Sequence, residues 1–414
     1  MKYLMKRFAK YKYVMNQYFN TKYLSGNRSG IFDRKLQINE FLRDYHNSIT
    51  YVDNENNKYS DVYIYKSSEA NFVIKLIPLD KHDLHNLSNM SNEKRKEIFV
   101  SQMSTEFLLL NKTPSLIINY IYGEALEYKF RNPNIIDEPA KTYFFIMEYA
   151  PYNLHNYLLN NLQKYKDDET KFKEIAEILI FQLMFILLLL SKNRIVYHND
   201  LHLRNILVEE HEPEHETYEL DCLKFVLQNK KINFFLHDFG KADILSLDVH
   251  ETRHSKLQME QLNNNEFILT DIFNLFDNLK YFCEDVGLQK HYVQYIEPKR
   301  NAIRFAQSSM KNLRYPAYIN LFVYVFQDNL SHYFNTNKLL NKPVCKPVYE
   351  ELVPSAGTVL YDKEENDVCL LLIRYGLKIH IMYSNKRNNI LDFEPSRFEK
   401  VKIKHKHNTT LYTI

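Results

Sequence analysis

The longest apolar stretch of the chain is ILIFQLMFILLLL, Ile178 to Leu190, interrupted by Gln182 alone. As a helix it would reach only about 20 Å, short of the roughly 30 Å of hydrocarbon in a bilayer. It predicts a buried helix, which the surrounding pattern extends over 170–192, after another at 152–165. Period-two alternation predicts strands between 48 and 80, where DVYIYK alternates and NFVIKLI is apolar around a lone Lys75. SNEKRKEIFVSQMSTEFLLLNK (91–112) predicts a helix, and TYFFIMEYA (142–150) a buried strand that ends before Pro151. Residues 218–226 and 231–237 read as a pair of short strands, and from there to about 340 the pattern is mostly helical. After Pro343, Pro347 and Pro354 the chain alternates again, in GTVLYD, VCLLLIRYGLKIHIMYS and FEKVKIKHK, which predicts a small β-rich end. Residues 1–32 hold seven basic and no acidic side chains, with Leu4, Phe8, Tyr11, Met15 and Tyr18 on one helical face. That face predicts a helix packed on the protein, with peripheral membrane contact as the alternative. The fold class is therefore α+β.

Composition changes this picture little. Hydrophobic residues make up 45% and charged residues 25%, as in an ordinary globular protein. The formal net charge of +3 is too small to call for a nucleic-acid partner. The cysteines Cys222, Cys283, Cys345 and Cys369 are scattered without a C-x-x-C, so they read as reduced thiols of an intracellular protein. No secretory or transmembrane segment is legible. EEHEPEHE (209–216) reads as a solvated acidic loop and KVKIKHKH as a solvated strand face.

The candidate chemistry sits in VYHNDLHLRNILVEE, Val196 to Glu210. Asp200 lies five residues before Asn205, between two apolar runs that can pin a loop. A phosphoryl-transfer base needs such a rigid loop, with a metal ligand nearby; a turn held by side-chain hydrogen bonds is the competing reading. In FFLHDFGKAD, Asp238 ends an apolar strand before Phe239 and Gly240, a place for a nucleotide-bound magnesium ion. Lys75 inside an apolar strand needs a counter-charge. Glu106, on the apolar side of a predicted helix, is the candidate carboxylate, with Glu97 as fallback.

A strand lysine, a helix glutamate, an apolar strand ending in MEY, an H-x-D-x-x-x-x-N loop and DFG occur here in that order. In this the chain resembles the protein kinase superfamily over residues 48–335. The resemblance implies a two-lobed fold: a basic, helical extension (1–47), a β-rich lobe and hinge (48–150), a helical lobe (151–340) and a β-rich tail (341–414). It implies that ATP binds in the cleft with magnesium or manganese, and that a Ser/Thr protein is the acceptor. Lys75 would hold the phosphates and Glu106 orient it. Met147 would be the gatekeeper, and Glu148 to Ala150 would bind adenine through the backbone. Asp200 would be the base, and Asn205 and Asp238 would hold metal. His198 would be a structural residue, and Asp271 in ILTDIFNLF would anchor the catalytic loop.

The departures are specific. Glu55, Asn57 and Ser60 stand where the family has three phosphate-covering glycines, ahead of Val62. Asn199 replaces the arginine that couples the base to a phosphorylated loop. His202 replaces the lysine that stabilises the moving phosphoryl group, which it can do only when protonated or donating a hydrogen bond. The 33-residue gap from Asn205 to Asp238 is long. That insert resembles haspin-type kinases and, more closely, the kinases of large DNA viruses, including poxviral serine/threonine kinases; it implies a place in the host cytoplasm or virion. Two other functions fit the residues: a pseudokinase scaffold, and a small-molecule phosphotransferase of the aminoglycoside or choline type.

Overall fold

The computed structural model describes residues 2–19, 21–26, 34–52, 60–85, 92–94, 96–101, 113–131, 139–192, 195–220, 223–244, 267–309, 322, 325–326, 330–332, 359–375, 378–383, 388–392, 397–400, 402–406 and 409–413. It is mixed α and β.

A seven-stranded sheet occupies the first third. Its strands are β1 (Leu24–Ser25), β2 (Lys35–Leu36), β3 (Ile49–Tyr51), β4 (Asp61–Lys66), β5 (Asn71–Leu79), β6 (Asn119–Ala125) and β7 (Lys141–Glu148). They lie in the order β1-β2-β6-β7-β5-β4-β3. β5 is interior, and Lys75 faces Val62 of β4 on one side and Phe145 of β7 on the other. Alternation sends Phe72, Ile74 and Leu76 to one face, and Val73 and Lys75 to the opposite one.

The first face is covered by the N-terminal extension. Helices α1 (Lys2–Tyr18) and α2 (Ile38–Asp44) bring Tyr18 and Phe41 against Phe72, which also stacks on Tyr65 at 4.4 Å. The buried positions of α1 are Tyr3, Arg7, Val14 and Tyr18, while Phe8, Tyr11 and Met15 are half-buried. The helix is packed on the protein, and its apolar stripe is used there rather than offered to a membrane. The arginine in that stripe was not foreseen. β6 was not foreseen either: NYIYGEA mixes polar and apolar positions without strict alternation, yet it pairs with β7 and is largely buried.

The apolar run Ile178–Leu190 lies in the helix Glu169–Lys192 and is buried throughout. Its one polar residue has a specific task. Gln182 donates to Tyr218 Oη at 2.7 Å and to Asn233 Oδ1 at 2.9 Å, and it accepts from Phe234 N at 2.9 Å. Those partners sit on a hairpin much longer than the short strand pair expected from the pattern. β10 (Ile206–Leu220) pairs with β11 (Leu223–Leu236) from Ile206↔Leu236 to Leu220↔Leu223. EEHEPEHE is thus strand, not a free loop. Irregularities at Glu210/Glu214 and Glu214/Glu216 accommodate Pro213, and buried Glu216 pairs with buried Lys230.

β8 (Tyr152–Asn153) joins this sheet, and β9 (Ile195–Tyr197) pairs with β12 (Asp243–Ile244). The helix Phe267–Asp285 packs beside β9, and the helix Glu297–Ser309 follows. The C-terminal alternation forms a five-stranded antiparallel sheet over 359–400 and a two-stranded pair over 402–413. No helix among the described residues is long and apolar enough to cross a membrane.

Candidate active site

The loop between β9 and β10 is held from below by one carboxylate. Asp271, on the helix Phe267–Asp285, is 1% exposed; its Oδ2 accepts from His198 N at 2.5 Å and its Oδ1 from Asn199 N at 3.0 Å. The anchoring contact expected of Asp271 is present. His198 is fully buried, lies against the Phe239 ring at 4.8 Å and reaches the His237 carbonyl through Nε2 at 2.9 Å. Burial pushes its pKa down, so it is neutral at neutral pH. Asn199 takes φ of 61°, a left-handed conformation that asparagine tolerates, and this turns the chain toward Asp200.

Asp200 and Asn205 meet. The Asn205 amide nitrogen donates to the Asp200 carbonyl at 3.0 Å and leans on its carboxylate at 3.4 Å. Its amide oxygen, the atom able to ligate a metal, is thereby left to point elsewhere. His202 is occupied: its Nδ1 accepts from Arg204 N at 3.2 Å, capping the turn Leu203–Asn205. An accepting Nδ1 carries no proton, so this hydrogen bond is made by the tautomer that holds its proton on Nε2. The cation beside Asp200 comes from elsewhere. Lys241 Nζ lies 3.0 Å from Asp200 Oδ2, and that contact raises the lysine pKa. Neither Lys241 nor His237 was singled out from sequence; a lysine directly after DFG was the only available signal.

Asp238 follows β11, and the chain there is tied to the loop by His237 N donating to the Asn205 carbonyl at 3.3 Å. Its φ of 62° is left-handed, unusual for aspartate and typical of a constrained functional position. Asp238 is open to solvent yet surrounded by protein, as a group inside a cleft is. Burial opposes its charge, but Lys75 above all outweighs that and holds its carboxyl below the usual range. Gly240 sits beside the segment around Glu93; a Cβ there would touch Asp238 Oδ1 at 3.8 Å, ordinary contact rather than a clash.

Across from this group is Lys75, 2.5 Å from Glu97 Oε1. The partner of the strand lysine is therefore Glu97, on the helical segment 96–101, and not the Glu106 first expected; Glu106 lies outside the described residues. Lys75 and Glu97 are 20% and 16% exposed. Burial works against the Lys75 charge, yet Glu97 and Asp238 together raise its pKa. Glu97 is raised by burial and by Asp238, against the pull of Lys75.

Lys75, its pairing neighbours Val62 and Phe145, and the pair Val73↔Met147 share one sheet face. Ser60 is buried just before β4, and Val62 is half-buried. Glu55 and Asn57 lie outside the described residues. At the end of β7, Met147 and Ala150 are half-buried beside Leu207. Glu148 departs from expectation. Its amide donates to the Ile118 carbonyl at 2.9 Å and is closed to a ligand, and its side chain turns into a buried pair with Arg7.

For a divalent metal, the donor set fits. An ionised Asp238 carboxylate and the Asn205 amide oxygen are hard oxygen donors of the kind magnesium takes. A second group, Asp80, His82 and Asp83, brings possible ligand atoms within 4.8 Å of one another. There, however, Asp83 already accepts from Lys94 Nζ at 2.5 Å and Asn92 at 3.1 Å. The described residues thus bring Lys75, Asp200, Asn205 and Asp238 to one site, with His198 and Asp271 behind it. No protein-family model matches the chain, and no curated protein matches it.

Proposed function

We propose that the chain is an ATP-dependent protein kinase of two-lobed architecture that phosphorylates Ser/Thr hydroxyls. One observation carries the reading: an ion-paired strand lysine in electrostatic reach of Asp238, which the loop holding Asp200 and Asn205 adjoins.

The chemistry follows from their placement. ATP lies against the face of Val62, Val73 and Met147, with its phosphate oxygens on Lys75, which Glu97 keeps charged and extended. Asn205 and Asp238 would hold magnesium or manganese, which neutralises phosphate charge when bound. Asp200 accepts the proton of the acceptor hydroxyl. The freed oxygen bonds to the γ-phosphorus, the bond from that phosphorus to the bridging oxygen breaks, and ADP leaves with the electron pair. Lys241, beside Asp200, supplies the positive charge that His202, engaged as a cap, does not.

The same Lys241–Asp200 pair favours a second reading, a nucleotide-binding scaffold whose base is permanently neutralised. The test is ATP binding with and without magnesium by thermal shift, on the wild type and Asp238→Asn. The kinase reading expects a magnesium-dependent rise in Tm that the variant loses, and transfer of label to protein that Asp200→Asn abolishes. A magnesium-dependent rise without transfer would leave the scaffold; no rise at all would end both.

A further inference from the structure

Behind the cleft, α1 reaches groups from both sides of the site. Arg7 is 3% exposed and every arm of its guanidinium is used. Nε donates to Glu148 Oε1 at 2.8 Å and Nη2 to Glu148 Oε2 at 2.5 Å. Nη1 donates to the Pro114 carbonyl at 2.6 Å, and Nη2 also to the Leu116 carbonyl at 2.6 Å. The Glu148 carboxylate accepts in addition from Ile118 N at 3.3 Å. On its other side the guanidinium lies over the Phe235 ring of β11 at 4.9 Å.

Tyr3, one turn earlier, reaches the hairpin. Its hydroxyl bonds Glu209, and its backbone N–H donates to Glu214 Oε2 at 2.9 Å. Its ring packs in a cluster with Ile117 and Phe235, against Met147, Ala150 and Leu207. Glu148, Glu209 and Glu214 thus converge behind the end of β7, facing Lys6, Arg7 and Lys10 of α1 around a cavity of about 380 Å³ that His211 also lines. Burial raises the pKa of Glu209, and Glu148 adds to it. Without α1, Glu148 would be a buried carboxylate with no cation, an expensive state.

We infer that α1 is a strut that positions the adenine-binding segment Glu148–Ala150, with Arg7 as the positioning residue acting through the Glu148 side chain. The inference rests on the nucleotide-binding reading above. Arg7 touches no nucleotide. It fixes the segment where β7 leaves the sheet, and Tyr3 ties that segment to the strand that carries Leu207. Phosphate binding, by contrast, depends on Lys75, which shares a sheet face with Phe145 and Met147, opposite the face that carries Glu148 and Arg7.

This separation sets the experiment. Binding of ATP and of inorganic tripolyphosphate, each with magnesium, is measured by calorimetry on the full chain and on Arg7→Ala. Losing the fork to Glu148 should weaken ATP binding about tenfold, the loss typical of a charged hydrogen bond, and leave tripolyphosphate binding unchanged. Equal weakening of both ligands, or no change in ATP binding, overturns the strut. Should Arg7→Ala not fold, Arg7→Lys keeps the charge but cannot fork, and the same selective loss is required of it. If the wild-type chain binds tripolyphosphate but not ATP, or binds neither, the nucleotide reading itself fails first.

Discussion

Removing the charge of Glu97 tests the site most directly. Its carboxylate lies 2.5 Å from Lys75, and the two side chains are 16% and 20% exposed, too enclosed for water to replace the contact fully. At an effective dielectric of about 20, the gross attraction is about 7 kcal/mol. Most of that is returned as desolvation, and a hydrogen bond between charged groups retains about 2 kcal/mol. Glu97→Gln keeps the shape and one acceptor oxygen but frees the lysine to collapse toward Asp238, the other carboxylate that raises its pKa. If the loss falls on the bound transition state, kcat/KM for ATP drops about 30-fold. Steady-state phosphorylation of a generic Ser/Thr acceptor, such as a basic protein, reads this out, with circular dichroism as a fold control. An undiminished rate in Glu97→Gln, or a 30-fold loss in Glu106→Gln instead, would show that Lys75 is oriented by another group.

Further outcomes follow from the same geometry. Lys241→Ala removes the cation 3.0 Å from Asp200 and should lower kcat about tenfold with little change in KM for ATP, as expected for charge supplied at the transferred group rather than to bound nucleotide; a raised rate would mean Lys241 inhibits the base. Asp271→Asn leaves a side-chain N–H facing one of the two loop amides it now accepts from, and should cost about 2–3 kcal/mol in a urea melt. Stability should fall on acidification from about pH 6.5 to 4. Burial lowers His237 to about 4 and also lowers His198, so the unfolded chain takes up protons in that window that the folded chain cannot. Glu97 and Glu209, whose pKa values are raised, act in the opposite sense. The check is therefore the difference between wild type and His237→Gln, whose pH slope should be shallower.

Much of this protein was legible in one dimension because the information was local. The run Ile178–Leu190 is apolar on all sides, and only a buried helix can hold it. DVYIYK alternates because one sheet face is covered, and NFVIKLI is apolar because its strand lies inside the sheet. The spacing from Asp200 to Asn205 is short enough for the loop itself to bring the two together, and the apolar strand before Asp238 marks where that carboxylate must emerge.

What stayed hidden was most of the choice among distant partners. Two glutamates of one predicted helix, Glu97 and Glu106, were both plausible for Lys75, and the folded chain sets Glu97 against it. EEHEPEHE has the composition of a solvated loop; it becomes strand because β11 offers a ladder, and Lys230 a partner for Glu216, from across the hairpin. Arg7 looked like one basic residue among seven. Its meaning depends on a carboxylate 141 residues away and on the backbone carbonyls of Pro114 and Leu116. Periodicity along a chain records which face is buried, because burial is a property each residue has by itself. Which charge meets which is a property of pairs, and for pairs far apart in sequence only the folded chain decides it.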